Sequence, residues 1–153
     1  MIVKAKTEDI ILIQELLKKS FDKFGLSEYF QDYDEKTIYE RLSDYYLNEN
    51  FLVLLNKDKQ NNILGVMILI IYPQIFNKNR LHINDLTIQP DPDLSEKKQA
   101  KILIEFINYI EKLGKEKKAK TIGITISPKF NIGKYLIKNK FINCDLNYIK
   151  EVK

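Results

Sequence analysis

The sequence predicts an α/β (α+β) fold, a mixed central sheet flanked by helices, with elements in the order β-α-α-β-β-β-α-β-α-β. Three observations carry this. Apolar residues recur every second position in some stretches and with the helical period in others, in blocks that alternate along the chain. The length of 153 residues suits one domain spanning 1–153, and no internal repeat, linker or low-complexity segment divides it. A strand–loop–long helix–strand unit near the middle calls for two parallel strands joined by a right-handed crossover.

Each element has a local reason. Met1–Ala5 alternates apolar and polar residues and reads as a strand. Thr7 is the expected N-cap of the first helix, with Glu8 and Asp9 in its first turn, where the helix dipole favours negative charge. Ile10, Ile13, Leu16 and Leu17 form its apolar stripe, and Gly25 follows its end near Phe24. A second helix over Asp34–Leu47 turns Ile38, Leu42, Tyr45 and Tyr46 inward. Phe51–Leu55 and Ile63–Ile71 form a hairpin around the polar turn Asn56–Asn62. Pro73–Asn79 connects to a strand over Arg80–Ile88, and a Pro/Asp loop over Gln89–Leu94 leads into a helix over Ser95–Leu113, closed by Gly114. That helix carries Ile102, Leu103, Phe106, Ile107 and Ile110 at helical spacing. Thr121–Ile126 is a strand, Lys129–Asn139 a short helix and Phe141–Lys150 a last strand.

Composition excludes several classes. One Cys (Cys144) and one His (His82) rule out a disulfide framework and a Cys/His zinc cage, so no metal is expected. The N-terminus lacks a signal-peptide core and no apolar run approaches ~18 residues, which predicts a cytoplasmic protein without membrane attachment. The net charge of +4 comes from 23 Lys and only 2 Arg, beside 23 Ile and 13 Asn. These three abundant residues have AT-rich codons, and base-reading forks favour Arg, so nucleic acid is not an expected partner. The distribution says more. Residues 24–49 carry seven acids against Lys36 and Arg41, a net of −5, and residues 97–140 carry a net of +9.

Ligands of open α/β sheets bind at the C-terminal ends of strands, beside helix N-termini, which nominates Ile88–Lys101 as a site. There Lys97, Lys98 and Lys101 would attract an anion, or simply form a solvated helix face. On the preceding strand His82, Asn84 and Leu86 are expected on one face, with Ile83, Asp85 and Thr87 on the other. His82 has an ordinary pKa near neutrality and is one candidate base; Asp85 is the other. Cys144 has no second His to activate it and reads as a small buried hydrophobe.

Four words resemble the GNAT family of acetyl-CoA-dependent N-acetyltransferases: Thr7-Glu8-Asp9, Leu86-Thr87-Ile88-Gln89-Pro90, Leu103-Ile104-Glu105-Phe106-Ile107, and the tail from Tyr135 to Phe141. Their order and spacing cover nearly the whole chain and imply a single GNAT-like domain. The resemblance implies direct transfer of an acetyl group from acetyl-CoA to a primary amine, small or peptidic, and allows a homodimer. It puts pantetheine along Leu86, Thr87 and Ile88. The family's pyrophosphate signature, R/Q-x-x-G-x-G/A, aligns with Ser95–Ala100, so Lys97, Lys98, Gln99, Ala100 and Lys101 are the implied phosphate contacts. Glu96 and Lys98 stand where two glycines belong. The family's tail Tyr, which can protonate the departing thiolate, falls at Leu136, with Tyr135 beside it as the candidate. The acceptor would be lined by Glu28, Tyr29, Phe30, Asp32 and Tyr33, acids and aromatics suited to a cationic amine. A second reading is a catalytically inactive GNAT-fold binding or structural protein; the segment Cys144–Val152 is similar to phage-encoded members, compatible with a phage or mobile-element origin.

Overall fold

The computed structural model describes residues 1–23, 33–74, 77–126, 130 and 132–143. The expected last strand lies almost wholly outside them, as do Gly25 and Cys144. Five strands form one sheet in the order of the chain: β1 (Ile2–Lys4), β2 (Phe51–Lys57), β3 (Ile63–Gln74), β4 (Asn77–Pro90) and β5 (Thr121–Gly123). The first four pair antiparallel, and β5 lies parallel to β4 as the crossover requires. The helices are α1 (Ile10–Lys23), α2 (Glu35–Leu47), α3 (Glu96–Glu116) and α4 (Gly133–Lys138). This is the expected mixed sheet between helices.

Two cores result, one on each face. On one, Ile10, Ile13, Leu16 and Leu42 of α1 and α2 pack on Val53, Leu55, Val66 and Ile68. On the other, the stripe of α3 packs on Leu54, Met67, Leu69, Ile83 and Ile88. Phe106, Ile107 and Ile110 are fully buried there, and each such side chain contributes roughly 1.5–3 kcal/mol of burial.

Four expectations change. The first helix begins with a 3-10 turn over Thr7–Asp9, and its cap comes from Asp9, whose carboxylate accepts the Lys6 N–H at 2.8 Å. Asp9 also pairs with Lys57 of β2 at 2.9 Å, a long-range partner that no local pattern reveals. Gly114 does not end α3; it is buried within it because a Cβ there would come within 2.8 Å of Ile122 Cδ1 on β5. Pro73 lies inside β3, where β2 no longer runs alongside (its pairing stops at Phe51↔Ile70), so its missing N–H breaks no ladder on that side. The strand expected over Thr121–Ile126 pairs only as far as Gly123.

Candidate functional site

The β4–β5 ladder consists of His82↔Thr121, Ile83↔Ile122 and Asn84↔Gly123, after which the strands part while β4 continues to Pro90. Beyond Asn84 the outer edge of β4 has no strand partner among the described residues. One side chain spans the gap: Asp85 Oδ1 accepts the Thr125 N–H at 2.6 Å. The carboxyl is only 4% exposed. Burial pushes its pKa up to about 6, against the lowering effect of the backbone N–H groups it accepts.

On its other side β4 pairs with β3 through a bulge. Leu69 faces Asp85 and Ile68 faces Thr87, so Leu86 is the extra residue. A bulged residue leaves the ladder, which frees its main-chain groups. The bulge also overturns the expected alternation. Asp85 stays with Ile83 on the α3 face, whereas Thr87 is moved to the α1/α2 face beside Leu86, and Ile88 enters the α3 core. Strict period-two counting cannot foresee this, since one inserted residue reverses the face of all that follow.

Along this three-rung ladder polar groups gather. His82 Nδ1 lies 2.6 Å from Thr121 Oγ1, which also accepts from Gln74 Nε2 at 2.8 Å. Tyr72 meets the imidazole edge-on with centroids 5.2 Å apart. Thr121 Oγ1 has lone pairs for both the Gln74 Nε2–H and a His82 Nδ1–H, and with the ring proton on Nδ1 the Nε2 nitrogen is free to accept one. A Cβ on Gly123 would overlap Asn84 Oδ1 and lie 3.3 Å from His82 Nε2. Both side chains therefore lie over this glycine, beside the split. Partial burial holds the imidazole below its ordinary value, so it is neutral at pH 7.

A cleft of about 390 Å³ opens on the α1/α2 face beside the bulge, between Leu86 and Thr87 of β4 and the side chains of Phe21, Tyr33, Arg41 and Tyr45. Tyr33 lines this cleft, and its hydroxyl donates to Gln14 O at 2.8 Å while burial raises its pKa to about 12. Glu28, Tyr29, Phe30 and Asp32 lie outside the described residues.

The α3 N-terminus is exposed and carries one acid, Glu96, in its first turn. Ser95 makes no side-chain cap, which leaves the first-turn N–H groups uncovered. Lys97 and Lys98 are exposed and make no ion pair among the described residues. Glu96 sits among them. The neighbouring acids are already neutralised: Asp93 pairs with Lys19 at 2.6 Å and Lys23 at 3.1 Å.

Other expected contacts have different work. Gln99 is buried and its amide donates to Leu94 O at 2.6 Å and Pro92 O at 3.3 Å, bracing the loop rather than facing an anion. Ala100 packs against the α3 core, and Lys101 reaches Glu105 at 3.9 Å. Tyr135 donates its phenol proton to Asn108 Oδ1 at 2.6 Å, on α3, and shares no bond with His82 or Asp85. Leu136 packs in the same core. Sequence reasoning missed Gln74, Thr121, Gly123 and Arg41; a glycine within a short strand was the one available signal.

Acetyl-CoA fits this arrangement. The open β4 edge can pair with an amide-bearing arm, and the α3 N-terminus with Lys97 and Lys98 can face phosphates. Among the described residues no cluster of His, Cys, Asp or Glu could hold a metal ion, and no helix is long and apolar enough to cross a membrane.

No family model matches the sequence, and no curated protein matches it significantly. Solved structures do match the fold. The chain is similar to a transcriptional regulator from Bacillus halodurans C-125 (TM-score 0.74, 10% identity, 100% of this chain and 99% of that one). It is similar to a predicted acetyltransferase with acetyl-CoA from Clostridium acetobutylicum (TM-score 0.68, 14% identity, 99% and 95%). A GNAT family acetyltransferase from Staphylococcus aureus subsp. aureus USA300_TCH1516 superposes with TM-score 0.63 at 14% identity, over 99% and 98%. With its parted fourth and fifth strands and its crossover helix, the chain has the fold of the GNAT acetyltransferases.

Proposed function

We propose that the protein is an N-acetyltransferase that moves an acetyl group from acetyl-CoA directly to a primary amine. The observation that carries this is the conjunction of the Leu86 bulge with the parting of β4 from β5 after Asn84. Acetyl-CoA, when bound, supplies the activated thioester. The main chain of β4 from Asp85 to Ile88 holds its arm, and the amide freed at the bulge is placed to polarise the carbonyl. The amine enters from the cleft beside Leu86 and Thr87. As its nitrogen bonds to the acetyl carbon, the carbon–sulfur bond breaks and the sulfur leaves as a thiolate, which takes a proton from solvent. His82 accepts the amine's proton at a neutral imidazole nitrogen. It stands four residues before the bulge, about 13 Å along the strand, so water relays the proton.

Asp85 is a positioning residue in this scheme, because its carboxylate faces α3 and holds Thr125. Thermal unfolding with and without acetyl-CoA tests the reading. Ligand at ~100 times Kd adds about 2.7 kcal/mol, a Tm rise of roughly 5–10 °C for a chain of this size. No rise at millimolar acetyl-CoA would sink it. A second reading, a GNAT-fold binding protein without turnover, is favoured by Glu96 and by the absence of glycine in the first turn of α3. A Tm rise with no thiol release across a panel of amines would select it.

A further inference from the structure

The cleft beside the bulge is lined by one cation, Arg41, and one carboxylate, Asp34, although its sequence neighbourhood is strongly acidic. Residues 24–49 are acidic overall, yet of the five acids among the described ones Asp34, Glu35 and Glu40 have partners, and Asp44 and Glu49 do not line the cleft. Asp34 caps α2 through the Lys36 N–H and the Thr37 hydroxyl. Glu35 pairs with Lys18, and Glu40 with Lys36 at 3.8 Å. Of the groups lining the cleft, the hydroxyls of Ser20 and Tyr33 donate to Leu16 O and Gln14 O, and the Gln89 amide to Pro90 O. Arg41 is the one cationic lining side chain, and it makes no hydrogen bond or ion pair among the described residues. Asp34, Thr37 and Thr87 add polar groups, and the rest of the wall is mostly apolar, from Leu17, Phe21, Leu42 and Leu86.

We propose that Arg41 binds a carboxylate on the acceptor, so that the acceptor is a primary amine carrying both a carboxylate and an apolar side chain, an amino-acid-like molecule. The inference rests on the acetyl-transfer reading and narrows its substrate. A guanidinium offers a carboxylate two parallel donors, and the apolar wall takes a side chain of ordinary size within about 390 Å³. The amine then lies toward Leu86, where the acetyl carbonyl would be held. A polyamine meets only Asp34 among the described lining carboxylates, whose oxygens already accept from the Lys36 N–H and the Thr37 hydroxyl, and Arg41 repels it.

Calorimetric titration of the intact protein tests this with matched pairs: L-leucine against 3-methylbutylamine, L-methionine against 3-(methylthio)propylamine, L-phenylalanine against 2-phenylethylamine, and spermidine. At least one amino acid should bind about tenfold or more tightly than its decarboxylated partner, a difference of about 1.4 kcal/mol. Arg41→Ala and Arg41→Gln should erase that difference while leaving the acetyl-CoA Tm rise intact, which also certifies that the variants fold. Equal or tighter binding of the amines, preference for spermidine, no binding by any amino acid, or a preference that survives both substitutions would overturn the proposal. If the amino acids bind through Arg41 but acetyl-CoA gives no Tm rise, the acetyl-transfer reading fails and the carboxylate site stands.

Discussion

The Asp85 carboxylate accepts the Thr125 N–H at 2.6 Å just beyond the last rung of the β4–β5 ladder. Strand pairing between the described residues of β4 and β5 has ended there, and this side chain bridges the two segments as they separate. Its burial keeps the native carboxyl protonated up to about pH 6, whereas an unfolded one ionises near 3.8. The native state therefore holds the extra proton in that window, and stability falls as pH rises through it. Asp85→Asn keeps an acceptor for Thr125 without the charge. Denaturant unfolding should find it more stable than the parent above pH 6, by at most about 3 kcal/mol, with the gap closing by about pH 4. A pH-independent gap would contradict this.

Gly123 is a second fixed point. A methyl group there overlaps Asn84 Oδ1 and crowds His82 Nε2. Gly123→Ala should cost about 1–3 kcal/mol of stability, read as a lowered Tm. It should also depress thiol release more than acetyl-CoA binding, since it displaces the base and not the β4 edge.

His82→Ala should lower kcat/KM by about 10²–10⁴-fold, with the acetyl-CoA Tm rise retained. The base works when neutral, and burial holds it below 6.5. The acid limb of the parent's pH–rate profile should therefore fall below pH 6.5 and vanish in the variant. Thr121→Val, which removes the hydroxyl at Nδ1, should move that limb without abolishing turnover.

Electrostatics at the α3 N-terminus can be tuned both ways. Glu96→Gln removes the charge that opposes a diphosphate, and Lys98→Glu adds one. Charges at a helix N-terminus are worth about 0.3–1 kcal/mol, so acetyl-CoA should bind roughly two- to fivefold tighter in the first and weaker in the second. Titration at two salt concentrations should show both effects shrinking as salt rises. Unchanged affinity in both variants would mean that Lys97 and Lys98 are only a solvated face.

The sequence by itself determined the order of elements and the apolar stripes, because hydrophobic period follows from the local backbone repeat. Ile10, Ile13 and Leu16 of α1 and the α3 run from Ile102 to Ile110 are buried as their spacing requires. It also placed the candidate site on the fourth strand and the helix after it. Only the tertiary structure decided which way that strand faces. Thr87 and Asp85 exchanged their expected relation because Leu86 is an extra residue against β3, and pairing register is a property of two strands. Likewise, net charge by segment pointed to an acidic cleft, but Glu35 and Glu40 pair with Lys18 and Lys36, Asp34 caps α2, and Arg41 stands at the cleft wall beside that cap. Partners of a charge are chosen across the fold, where the chain's own order carries no record of them.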